Sequence, residues 1–272
     1  MIIAMDMDGT LCKDDKTISH YTLKILKQLK LLGHLPVVCS GRGLATLGNT
    51  IMDVCDYGIL GTGSTIYDLK SKQCLYSQSI DPTILDMIQT KGKNIDSDID
   101  YFCGDEILTD RYTYEHIDHY VGGNIAFANM IRNGRTIVDD PYIYVKENNI
   151  PVQRINIFIV DDDIRCQWMD WLRALGLEVS SSAPTNIEIT ASGVNKGSGL
   201  QWLCHYLNIN VDQTMMFGDS SNDQAALDYV HYPVVMANAS NEMKHKYRYI
   251  TSEDNNHDGV ALFLSKCFHL KF

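Results

Sequence analysis

The sequence predicts an α/β protein: a doubly wound, Rossmann-like parallel-sheet core interrupted by an inserted α+β domain. Three observations lead there. Strand-like apolar runs alternate with helical patterns at both ends of the chain. That rhythm is lost between about residues 80 and 185. Three of the apolar runs stop at a polar side chain, as parallel strands do at the carboxyl ends that border a ligand crevice.

The first run, Ile2-Ile3-Ala4-Met5, stops at Asp6. Ser19 is a good N-cap for a helix in which Leu23, Leu26, Leu29 and Leu32 recur at helical spacing, and Gly33 closes it. Leu35-Pro36-Val37-Val38-Cys39 is the next run and stops at Ser40-Gly41-Arg42. A second helix is expected over about 44–55, carrying Leu44, Leu47, Ile51 and Val54. The middle is richer in polar residues, Tyr and turn signals; Ile155–Val160 alternates like a strand, and 81–91 and 164–175 read as helices. The rhythm resumes with a helix at 197–207, the run Thr214–Phe217 ending in Gly218-Asp219, a helix at about 222–230, the run Val234–Met236 and an apolar helix over 258–268. The expected division is a core of 1–80 and 186–272 with an insertion of 81–185.

Composition narrows the function classes. At 272 residues, 45% hydrophobic and 21% charged, the chain can bury a core. With 23 Lys+Arg against 34 Asp+Glu the net charge is −11, which disfavours nucleic acid and anionic membrane over most of the surface. No run reaches the roughly 18 apolar residues of a membrane span, and Asp6 and Asp8 interrupt the start before a signal-peptide core can form. The eight cysteines include no C-x-x-C pair, so free thiols in a reducing cytoplasm are expected.

The three strand ends, Asp6, Ser40 and Asp219, come from distant parts of the chain and converge on one crevice if the sheet is parallel. Asp6 and Asp8 of Asp6-Met7-Asp8-Gly9-Thr10 point to one face on an extended chain, and adjacent carboxylates call for a cation. A plain strand-end turn with an Asp cap is the alternative. Gly218-Asp219-Ser220-Ser221-Asn222-Asp223 adds Asp219 and Asp223, although Asp and Ser are also ordinary helix caps. Four carboxylates form an all-oxygen site that suits Mg²⁺ better than zinc. Lys196, ahead of a helix, supplies a positive charge for a phosphate; taken alone it also reads as a surface lysine.

These blocks, in this order, resemble the haloacid dehalogenase superfamily of phosphohydrolases, and within it the Cof-like subfamily with a large C2B cap. The matching stretches are D-M-D-G-T at 6–10, C-S-G-R at 39–42, N-K-G at 195–197, G-D-S-S-N-D at 218–223, M-A-N-A at 236–239 and D-G-V-A at 258–261. The resemblance implies that Asp6 is the nucleophile and Asp8 the general acid, then base. It implies Mg²⁺ held by Asp6, the Asp8 carbonyl and Asp219 with Asp223 in support. It further implies phosphate contacts from Ser40, Gly41, Arg42, Lys196 and Asn222, with 81–185 as the specificity cap. The partner expected is a small phosphorylated metabolite, for a monomer or weak homo-oligomer. A phosphotransferase or mutase of the same superfamily is the second reading, and a non-catalytic phosphate sensor the third. One departure stands out: Thr62-Gly63-Ser64 replaces the family's usual Asn-Gly-Ala.

Other features have plainer readings. His116 and His119 lack a third metal ligand, Trp168, Trp171 and Leu175 form a buried stripe, and Cys39 has no base partner. Tyr101, Tyr112, Tyr114, Tyr120, Tyr142 and Tyr144 in the insertion suit either a substrate-facing surface or the edge of a small core.

Overall fold

The computed structural model describes residues 1–93, 95, 97–121, 125–182 and 185–270. In chain order the elements are β1 (Ile2–Met5), α1 (His20–Leu31), β2 (Leu35–Cys39), α2 (Asn49–Val54), β3 (Tyr57–Leu60), β4 (Thr65–Asp68), β5 (Gln73–Ser77) and α3 (Pro82–Gly92). Then follow β6 (Asp98–Cys103), β7 (Glu106–Thr109), α4 (Arg111–Tyr120), α5 (Ile125–Asn133), β8 (Arg135–Ile137), α6 (Pro141–Glu147), β9 (Arg154–Phe158), α7 (Asp162–Ala174), β10 (Glu178–Ser180) and β11 (Asn186–Thr190). The chain ends with α8 (Lys196–Tyr206), β12 (Thr214–Gly218), α9 (Gln224–Tyr229), β13 (Tyr232–Val235), α10 (Asn241–Lys246), β14 (Tyr249–Ile250) and α11 (Gly259–Cys267). No described helix is long and apolar enough to cross a membrane. None of the eight cysteines is in a disulfide.

Two compact units emerge. The first comprises Met1–Gly41, Gly48–Leu75 and the chain from Asn195 onward. Its sheet has the order β14-β13-β12-β1-β2-β3-β4-β5. From β14 to β3 the strands are parallel, and β4 turns antiparallel to β3. β1 and β12 are buried along their whole length, which explains their unbroken apolar sequences. The expected helix over 44–55 is interrupted: a short 3₁₀ turn at Leu44–Thr46 precedes α2, and Gly48 sits between them at φ 84°. A left-handed residue cannot continue a right-handed helix.

The second unit comprises Arg42–Leu47 and Tyr76–Val194. Its sheet runs β10-β11-β9-β6-β7-β8, antiparallel except for the β7–β8 pair. One face carries Tyr101, Ile155, Ile157, Ile187 and Ile189, packed against Leu85 and Ile88 of α3, Val145 of α6 and Trp168 and Leu172 of α7. The other face is polar yet buried. Asp98, Asp100, Arg154, Asn156, Asn186 and Glu188 share it by register. Arg154 pairs with Glu188 at 2.9 Å, Arg135 with Asp100, and the Tyr120 hydroxyl donates to Asp98. Tyr120 and Ile117 of α4 and Ala128 and Ile131 of α5 pack beside them on Phe158. The short segment Arg42–Leu47 belongs here because Gly43 lies against Phe102 and Ile107, and a Cβ on Gly134 would collide with Thr46.

The six tyrosines do not gather on one surface. Tyr101 lies in the helix-side core with Tyr142 packed against it, and Tyr142 donates to Asp86. Tyr120 joins the second cluster, and Tyr112 stacks on His116.

Candidate active site

Parallel pairing aligns the ends of three strands in the first unit. Met5 lies opposite Val38 on β2 and Phe217 on β12, so Asp6 emerges beside Cys39-Ser40 and Gly218-Asp219. The Asp6 amide donates to Phe217 O at 3.0 Å, holding the residue in strand geometry. Gly9 then turns the chain at φ 81°, and a Cβ there would strike the Asp219 carboxylate.

Lys196 stands at the first position of α8. A capping box fixes that helix start: Asn195 Oδ1 accepts from Ser198 N at 3.0 Å and the Asn195 amide donates to Ser198 Oγ at 2.9 Å. The Lys196 ammonium is fully buried and donates to Asp6 Oδ1 at 2.7 Å, Asp223 Oδ1 at 2.6 Å and Asn222 Oδ1 at 3.3 Å. Burial alone would lower its pKa, but the Asp223 and Asp6 carboxylates prevail and hold it well above the ordinary lysine range. Three oxygen acceptors, two of them carboxylates, suit the ammonium form. Burial pushes the Asp6 carboxyl up against the pull of Lys196, with Asp223 and Asp219 adding repulsion. Of these two opposed effects on one pair, the charged lysine is the firmer, because two carboxylates share it.

Asp223 is committed on both oxygens. Oδ1 takes Lys196, and Oδ2 accepts the amides of Asp219 at 3.0 Å and Ser220 at 3.1 Å. Asp219 accepts from Thr10 Oγ1 at 3.2 Å. Burial, then the charge of Asp223, pushes the Asp219 carboxyl up to about 7. Carboxylate oxygens of Asp6, Asp219 and Asp223 lie within 4.8 Å of one another. Three crowded carboxylates with an all-oxygen donor set suit a hard divalent cation such as Mg²⁺.

Asp8 is not one of those three carboxylates, although its charge adds to the repulsion on Asp219. Asp8 is half-buried, and its Oδ1 pairs with Lys16 at 2.8 Å. Ser40 is buried, with its amide on Ile59 O at 2.8 Å and its carbonyl accepting from Thr62 N at 3.1 Å. Arg42 groups with the second unit and donates to Thr46 O at 3.3 Å, whereas Ser40 and Gly41 stay with the first. Gly63 permits the loop 61–64 to press against α8, since a Cβ there would collide with Asn195 O. Thr62 is held left-handed at φ 59°, ψ 32°. Three contributors were missed in the sequence: Thr10 on Asp219, Asn238 donating to Gly9 O at 2.8 Å, and Lys16. Thr10 and Asn238 sit inside quoted motifs, so their position was a usable signal; Lys16 had none.

The chain matches the haloacid dehalogenase-like hydrolase family over residues 3–264. It is 28% identical over 279 residues to a 5-amino-6-(5-phospho-D-ribitylamino)uracil phosphatase of Bacillus subtilis, covering 99% of this chain and 98% of that one. An HMP-PP phosphatase of Enterobacter sp. is 26% identical, covering 88% and 84%. A solved haloacid dehalogenase-like hydrolase from B. subtilis superposes with a TM-score of 0.85 at 23% identity, covering 97% and 98%. The chain belongs to the haloacid dehalogenase-like hydrolases. Within that family it is a Cof-like phosphatase, an enzyme acting on phosphoric monoesters.

Proposed function

We propose that the protein is a Mg²⁺-dependent phosphatase that hydrolyses small phosphomonoesters, sugar phosphates or phosphorylated cofactors, through an aspartyl-phosphate. The observation that carries this reading is the buried Lys196 ammonium joined to both Asp6 and Asp223. It pins the nucleophile and offers a fixed positive charge where a phosphoryl group must approach an anion. Mg²⁺, held by Asp6, Asp219 and the Asp8 carbonyl with Asp223 in support, would neutralise phosphoryl oxygens.

Asp6 attacks phosphorus; the phosphorus–oxygen bond to the leaving group breaks, and the Asp8 carboxyl passes its proton to that oxygen. The Asp8 carboxylate next takes a proton from water, which attacks the acyl phosphate and frees inorganic phosphate and Asp6. Ser40, Gly41, Asn222 and Lys196 hold the phosphoryl oxygens in both steps, and Arg42 contributes from the loop that follows. Splitting the displacement in two lets one carboxylate serve as acid and then base. Residues 81–185 act as the cap that selects the leaving group. The named relatives act on small phosphorylated molecules, which supports the substrate class. The setting is the cytoplasm, with the chain a monomer or weak homo-oligomer.

The test is a panel of phosphorylated metabolites with the purified protein, in Mg²⁺ and in EDTA. Release of phosphate that EDTA abolishes and Mg²⁺ restores is expected. Full turnover without metal, or transfer to a second sugar in place of water, refutes it.

A further inference from the structure

We infer that Lys16 is a positioning residue for Asp8, fixing which carboxyl oxygen exchanges protons during turnover. The inference rests on the phosphatase reading above. Lys16 Nζ donates to Asp8 Oδ1 at 2.8 Å. An ammonium can only donate, so the oxygen it touches cannot carry a proton toward it. The carbonyl oxygen of a carboxyl is a better acceptor than its hydroxyl oxygen, so the ammonium on Oδ1 favours placing on Oδ2 the proton that Asp8 gives to the leaving group and takes from water. One oxygen anchors and the other works, and the carboxyl plane is set by the anchor.

An exposed Lys–Asp pair usually contributes about 0–1 kcal/mol and needs no explanation. This one is built differently. Lys16 adopts φ 67°, a left-handed conformation that a lysine occupies only where its surroundings impose it. The loop is drawn tight by Lys13 N to Thr17 O and Lys16 N to Lys13 O, both 2.9 Å. It is then clamped from the far end of the chain. Asn256 engages Asp14 at two points, accepting from the Asp14 amide at 3.1 Å and donating to Asp14 Oδ2 at 3.0 Å. The buried Asn255 donates to Cys12 O at 2.9 Å and to Asp14 Oδ1 at 3.1 Å. Four hydrogen bonds and a strained backbone thus serve to present a single ammonium to the proposed general acid.

The test compares Lys16→Met, Lys16→Arg and Asp6→Asn on two esters. Ribose 5-phosphate leaves as an alkoxide that must be protonated; para-nitrophenyl phosphate leaves as a phenolate that need not be. Wild-type turnover of both, lost in Asp6→Asn, checks the phosphatase reading by itself; no wild-type turnover of either overturns that reading and this inference together. With turnover present, Lys16→Met should lower kcat on ribose 5-phosphate by about 10- to 100-fold with KM within about twofold, and change the aryl ester by less than about threefold. Lys16→Arg should recover most of the loss. In an Asp8→Asn background Lys16→Met should add nothing. Equal losses on both esters, a rise in KM alone, or a full further loss in Asp8→Asn overturns the positioning role and leaves the phosphatase reading intact. If Lys16→Met fails to fold in a melting scan, Asn256→Ala loosens the same clamp; it should slow the alkyl ester selectively by about three- to tenfold, and unchanged kinetics overturns the inference.

Discussion

A cation at the first turn of a helix opposes the helix dipole, yet Lys196 stands at the start of α8 with its ammonium fully buried. Local propensity yields here to two carboxylates, as it does at sites that carry chemistry. Removing one partner leaves the others uncompensated, so Lys196→Met should cost roughly 3–5 kcal/mol in metal-free urea denaturation. Asp6→Asn removes a like charge from the same cluster; it should abolish turnover, because an amide cannot attack phosphorus, while the midpoint of unfolding holds or rises. Asp219 gives a pH signature. Its folded pKa of about 7 lies above an ordinary value of about 3.9. A raised acid contributes stability that is complete at low pH and is lost as pH climbs through the folded value. In EDTA the melting temperature should therefore decline between about pH 4 and 7, and the increment from added Mg²⁺ should grow across the same window. A Mg²⁺ increment that shrinks toward neutral pH contradicts this assignment.

Loops at the strand ends are where elements are least legible and most constrained. β1, β2 and β12 were readable because strands buried in a parallel sheet are uniformly apolar and stop at their polar ends. The split of the 44–55 helix was not, since Gly48 acts through a positive φ that periodicity does not register. The Lys16–Asp8 pair was equally hidden, because it depends on a loop fold closed by residues some 240 positions away. The Thr62-Gly63-Ser64 departure now has a physical consequence. A β-branched Thr62 at φ 59° is costly where Asn is tolerated, so Thr62→Asn should raise stability by about 1 kcal/mol in chemical denaturation. Gly63→Ala should do the reverse and more. It must carry a Cβ at φ 97° into Asn195 O, displacing the start of α8, so a fall in both stability and kcat is the expected outcome.

At the scale of the molecule, the second unit shows where pattern reading fails. Alternation like that of Ile155–Val160 ordinarily marks a strand with one solvated face, yet Arg154, Asn156 and Glu188 are buried in a paired network beside α4 and α5. Such residues can be interior where the sheet itself supplies partners, as Glu188 does for Arg154 and Asn186 for Asn156 and Glu188. The same unit is assembled from two separate stretches, and Arg42–Leu47 is the smaller. Anyone exchanging this unit between relatives would naturally cut near 76 and 194 and transplant one contiguous block. That graft would arrive without a piece of its own interior, facing a host segment whose Gly43 and Thr46 fit Phe102, Ile107 and Gly134 of the host unit it replaced. The transferable module is discontinuous: chimeras carrying 42–47 together with 76–194 should melt higher than those carrying the long block alone.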